Sequence, residues 1–131
     1  MRVFGVSAIG LACTLLSATG HTQGAEVVRP VPGYICMLLS PQDEQATVPS
    51  ELPPIFAEPS ATAVKLGYPT QIALVKWPMH AVSGYVEVLR GNGQAGWIDA
   101  RHLRPWHPMN NTNASCVPSL MANGRIGTDI H

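Results

Sequence analysis

Three cysteines, five histidines and eight carboxylates are the side chains in this sequence with the chemistry to attack a substrate or hold a metal ion. Cys36 and Cys116 stand 80 positions apart, and Cys13 lies in an apolar N-terminal run. A thiol nucleophile needs an adjacent base and a third group to orient that base. None of the five histidines falls in a sequence setting that would supply such a pair for Cys36. A zinc site wants three or four closely spaced ligands. His102 and His107 are five apart and His80 is remote in sequence, so no metal or other cofactor is implied. No G-x-S-x-G elbow presents a serine. Gly91-Asn92-Gly93 lacks the lysine and helix of a phosphate loop. These absences point away from an enzyme and leave a structural use for the thiols.

The use follows from the chain's address. Arg2 precedes an apolar run from Val3 to about Leu16, and small residues follow it. This is the pattern of a secretory leader, with the mature protein beginning between His21 and Glu26. Residues 1–25 are therefore read as a signal peptide, and the protein as periplasmic or secreted. The run is shorter than the roughly 20 apolar residues of a spanning helix, so no stable membrane insertion is expected after cleavage. Gly10 stands where a lipoprotein box has leucine, so Cys13 reads as an ordinary leader residue. Removing the leader leaves Cys36 and Cys116, and an even count in an oxidising compartment predicts a disulfide between them.

Eight basic and eight acidic side chains balance. With no clustered Lys or Arg to replace phosphate counterions, nucleic acid is excluded as an expected partner. Apolar residues make up 46% of the chain, enough for a packed core, while 12 Pro and 12 Gly favour short strands and turns over long helices.

Seven prolines fall between Val28 and Pro59, so 26–53 reads as an irregular extension wrapping the domain. Within it Tyr34–Leu39 is apolar enough for one short strand or a helical turn. From Pro54 to Trp106 the pattern changes. Ile55-Phe56-Ala57 and Val64–Gly67 are short extended segments, and Gln71–Lys76 is β-rich. Tyr85–Leu89 alternates, with Val86 and Val88 on one face and Tyr85, Glu87 and Leu89 on the other. Arg90-Gly91-Asn92-Gly93-Gln94 carries turn chemistry, and Ala95–Ile98 returns as the second arm of a hairpin. Asp99 is placed to cap a single helical turn through His102. Five short strands in some fifty residues predict a small all-β barrel, with 107–131 as a surface strap whose end is mobile.

The residues Gly93-Gln94-Ala95-Gly96-Trp97-Ile98, with Leu103 after four more, are similar to the closing pattern of bacterial SH3 domains. Ile55–Ser60 followed by Val64–Gly67 resembles that family's opening, and Tyr85–Val88 its middle strand. The resemblance spans 54–106. It implies an SH3-like five-stranded barrel in which Gly93, Gly96, Trp97 and Leu103 are structural. It also implies a non-catalytic module that binds a peptide, a cell-wall (peptidoglycan) fragment or a protein partner. The alternative is a small structural or inhibitory subunit of a cell-envelope complex. Trp97 beside Gly96 reads as core. Trp77 and Trp106, each near a proline, read either as plugs of the barrel ends or, together with Tyr68, as an aromatic binding surface.

Overall fold

The computed structural model describes residues 26–110 and 113–131, together with Gly5 and Gly10. The leader expected over 1–25, with Cys13, lies outside the described residues apart from those two glycines. Among the described residues no helix is long and apolar enough to cross a membrane.

The chain runs through β1 (Val27–Pro30), β2 (Tyr34–Leu39), a helical turn α1 (Pro41–Glu44) and a 3₁₀ turn at Pro49–Glu51. It continues through β3 (Ile55–Phe56), β4 (Lys65–Gly67), β5 (Ile72–Lys76), β6 (Tyr85–Leu89) and β7 (Ala95–Asp99). A second 3₁₀ turn at Ala100–His102 leads into β8 (Leu103–Pro105), then β9 (Cys116–Met121) and β10 (Ile126–Ile130). The strands form two antiparallel sheets, one ordered β1-β9-β10 and the other β4-β3-β7-β6-β5-β2-β8. The all-β expectation holds, and neither sheet closes on itself.

The larger sheet is nonetheless rolled. β7 and β8 lie four strands apart in it, about 19 Å if it were flat. Only Ala100–His102 joins them, and the four residue steps from Asp99 to Leu103 reach at most about 14 Å. The β7–β8 link therefore demands that the sheet curl around its core. That core is Met37, Leu39, Ile55, Ala73, Val75, Val86, Val88 and Ile98, with Leu52 and Leu103 packed against it. The alternation expected for β6 is present: Val86 and Val88 are buried, and Tyr85, Glu87 and Leu89 are partly exposed.

Two expectations about the flanks are corrected. Residues 26–53 are not a wrapping extension, because β2 sits inside the large sheet, paired with β5 on one side and β8 on the other. Its last four residues, Cys36 to Leu39, are all buried. Alternate residues Met37 and Leu39 enter the core of the rolled sheet, which leaves Cys36 and Leu38 on the face toward β9. A strand covered on both faces is apolar throughout, and so lacks the alternation that marks a half-exposed one. Residues 107–131 are more than a surface strap fastened by the bridge, and the end expected to be mobile is paired as a strand. β9 and β10 form a hairpin whose turn holds Gly124 at φ 81°, and Asn123 Oδ1 accepts the Arg125 N–H at 3.0 Å. β1 adds to the far side of β9.

The expected Cys36–Cys116 disulfide is present, joining β2 of the large sheet to β9 of the small one. A covalent bridge of this kind suits an oxidising compartment.

Candidate functional site

Three segments converge on a cleft of about 520 Å³ where the two sheets meet. The first is the β4–β5 connection, Gly67 to Thr70. The second is the β6–β7 turn. There Gly93 takes φ 83° and donates its N–H to the Arg90 carbonyl at 2.9 Å, and Asn92 Oδ1 accepts from Gln94 N–H at 3.0 Å. The third is Arg125 with the start of β10, Ile126 to Thr128.

One arginine side chain and one backbone bond tie the three together. Arg90 Nη2 donates to the Leu66 carbonyl at 2.9 Å, fastening the β6–β7 turn to β4. The Ile126 N–H donates to the Gly91 carbonyl at 2.9 Å, fastening the same turn to β10. Arg125 reaches over that turn. A Cβ on residue 91 would lie 2.7 Å from Arg125 Nη2, so glycine there leaves room for the guanidinium.

Ile72, Leu74, Leu89 and Ile126 give the cleft apolar lining, and Tyr68, Thr70, Asn92 and Thr128 give it hydrogen-bonding groups. Among the described residues, Arg90 and Arg125 are its only charged ones, and no Asp or Glu lines it. Its volume lies within the range of sites that enclose small ligands or peptide side chains. The arginines can offer planar, bidentate donors to a carboxylate or a similar oxyanion.

The other polar clusters lock backbone. Ser40 Oγ donates to Asp43 Oδ2, and His102 Nδ1 lies 2.9 Å from that same oxygen. A catalytic triad needs the imidazole between hydroxyl and acid, whereas here the carboxylate stands in the middle, so the serine is not activated by the histidine. Beside it Arg104 Nε donates to the Leu39 carbonyl at 2.9 Å and Arg104 Nη2 to Glu44 at 2.7 Å. Together these pin α1 to the β8 end of the sheet. Among the described residues no group of three or more His, Cys, Asp or Glu is placed to hold a metal ion.

Asp99 caps the 3₁₀ turn before β8, accepting the Arg101 N–H at 2.9 Å. The Arg101 side-chain hydrogen bond, helped by the backbone N–H and outweighing burial, holds the Asp99 carboxyl below its usual value. A carboxyl lowered in the folded state adds stability above its unfolded pKa, and that contribution is lost as pH falls through the folded value. The gap in thermal midpoint between the wild type and Asp99→Asn should be present at pH 6 and shrink below about pH 4. A gap that stays constant down to pH 2 would show that the charge of Asp99 does not matter. Arg101 is largely exposed, so the effect is small.

The residues singled out from sequence separate. Tyr68, 40% exposed, lines the cleft. Trp77, 54% exposed, follows the opposite end of β5, beyond a strand about 17 Å long. Trp106 is half-buried just past β8, outside the cleft lining. The one ring contact among the described residues is Phe56 against Tyr85, edge to face at 5.8 Å, so Tyr68, Trp77 and Trp106 do not stack on one another.

Trp97 is also corrected. In β7 it is Gly96 and Ile98 that face the core, while Trp97 is half-buried on the opposite face beside Phe56 and Glu87. Leu103 packs against the core and Gly93 makes the turn, in the structural roles expected of them. Arg90, Arg125 and Thr128 are the cleft residues that sequence reasoning passed over. The signal that could have found Arg125 was Asn123-Gly124, a strong hairpin turn.

Comparison with known protein families, curated proteins and solved structures gave no match.

Proposed function

We propose that the chain is an exported, non-catalytic binding module of SH3-like kind, and that its ligand, a peptide, a wall fragment or a segment of a protein partner, enters the cleft between the sheets. The observation that carries this is the cleft's make-up: apolar lining, hydrogen-bonding groups and two arginines with no carboxylate beside them. A site that only filled space would be apolar or internally paired. Support for the SH3-like part comes from the strip β8-β2-β5-β6-β7, curled at a single 3₁₀ turn, and from the β6–β7 hairpin. The disulfide supports export, because such bonds persist in oxidising compartments.

The test is a titration of ¹⁵N-labelled protein with soluble muropeptides and with extended peptides, followed by amide chemical shifts. The expected result is movement of the Tyr68, Arg90, Asn92 and Thr128 amides by at least one probe, and a weaker response in Tyr68→Ala. If neither probe class moves those amides, the cleft is not the binding site and the reading fails.

A further inference from the structure

β10 is an outer strand of the small sheet, and its free edge opens into the cleft. Ser115 and His131 exchange both backbone bonds, at 2.7 and 3.1 Å, and the Met121 N–H donates to the Arg125 carbonyl at 2.9 Å. Odd-numbered residues of β10 therefore turn their amides toward β9, and Ile126, Thr128 and Ile130 turn theirs away. Pro118, opposite Thr128, agrees: it has no N–H, and its carbonyl accepts from Val31 on the β1 side at 2.8 Å. The Ile126 N–H is already taken by Gly91, so the β6–β7 turn fills the first rung of the edge. Beyond it, among the described residues, the outward groups of Thr128 and Ile130 have no strand beside them.

The geometry points to strand addition: an extended peptide carrying a carboxylate pairs with the Thr128–Ile130 edge and places its acid on Arg125 and Arg90. This rests on the cleft being the binding site, and adds the mode and the chemistry of the ligand. Main-chain pairing supplies affinity in such complexes, and neighbouring pockets supply selectivity. Charge chooses the occupant. Lys76, Arg101 and Arg104 have carboxylate partners, but none of the ion pairs among the described residues includes Arg90 or Arg125. A second copy laid on the same edge would present the same carboxylate-free lining to itself. Two cations are too few for nucleic acid, whose affinity comes from many phosphate contacts.

The probe is a fluorescein-labelled hexapeptide of alternating Thr and Val ending in Asp, read by anisotropy against the oxidised protein. Its controls are the same peptide ending in Lys amide and one N-methylated at alternate residues. The acidic peptide should bind at least ~10-fold more tightly than either control, as expected for a charge-assisted contact and for lost ladder bonds. Arg125→Gln should bring the acidic peptide to the level of the lysine peptide. Thr128→Pro removes an outward N–H that no strand of this chain uses, and should weaken the acidic peptide while leaving the circular-dichroism spectrum unchanged.

Equal binding of all three peptides overturns the inference without needing any variant. Cleft amides that shift without dependence on charge or N-methylation leave the cleft as a binding site but overturn strand addition. A wild-type dimer that Thr128→Pro converts to monomer, with no change in peptide binding, assigns the edge to self-association and likewise overturns it.

Discussion

Replacing both Cys36 and Cys116 with serine should lower the unfolding free energy by about 4–5 kcal/mol, the chain-entropy value for a loop of this length. The bridge closes 80 residues of sequence separation, which embraces nearly the whole large sheet. It also does something that loop length alone does not express. The two sheets share no strand, and few backbone bonds cross between them, among them Ile126 to Gly91 at 2.9 Å. The bridge fixes β9 against β2 at Cys36, which is buried one strand in from the β8 edge of the large sheet. Urea titration of the double variant should show a lower midpoint. Hydrogen exchange should show faster opening of β9 and β10 than of β5 and β6, because the small sheet loses its covalent tie while the rolled sheet keeps its core. A small domain holds only about 5–15 kcal/mol in total, so this loss is a large share of it. A loss below about 1 kcal/mol would mean that the reduced chain already holds its ends together, contrary to the chain-entropy account.

The same bridge shows what could and could not be read beforehand. Counting thiols after removal of a leader predicts the pair, because the rule depends on composition and not on topology. The β6–β7 hairpin and the Asp99 cap were legible for a similar reason: alternation, turn residues and capping chemistry are all local. β2 was not legible as an inner strand. Its partners β5 and β8 lie over thirty and over sixty residues away in sequence, and its burial on both faces erases the alternation that would have marked it. The surrounding prolines, Pro30, Pro32 and Pro41, lie just outside Tyr34–Leu39 and made the whole region look irregular. The β9–β10 hairpin was legible in principle at Asn123-Gly124, but Pro118 within the preceding run suggested a loop. Its missing N–H leaves the β9–β10 ladder intact, because Pro118 and Thr128 face each other at a rung where no hydrogen bond passes between the two strands. The cleft could not be read at all, since it joins residues spread along the chain from Ile55 to Thr128 whose meeting depends on how the two sheets dock.

Gly96→Ala is the second large effect, and it separates two ways in which a glycine can matter. A Cβ on residue 96 would stand 2.3 Å from Ile55 Cγ2 and 3.3 Å from the Phe56 carbonyl oxygen. Ile55 belongs to the core and is nearly covered, so it has no free direction in which to retreat. Forcing a methyl into that contact should lower stability by about 1–3 kcal/mol, the usual range for overpacking. The control is Gly93→Ala. There a Cβ meets nothing within 4 Å, but the backbone holds φ 83°, so the loss comes from conformation alone. Ile55→Ala distinguishes the mechanisms. It removes the Cγ2 methyl that collides at residue 96, at a cavity cost of its own. Combined with Gly96→Ala it should give a loss smaller than the sum of the two single losses by about 0.5–3 kcal/mol, because each change fills or empties the same space. Combined with Gly93→Ala it should simply add. Additivity at both positions, measured by urea unfolding, would show that Gly96 is needed for its backbone and not for the close approach of β3 to β7. The substitution also reaches the cleft, because the same Cβ would lie 3.5 Å from Arg90 Cδ and Ile55 is itself a lining residue. Ligand affinity should therefore fall in Gly96→Ala even at temperatures where the protein stays folded. In Gly93→Ala an equal loss of stability should come without displacement of Ile55, which makes the contact between β3 and β7, rather than stability as such, the link from this glycine to binding.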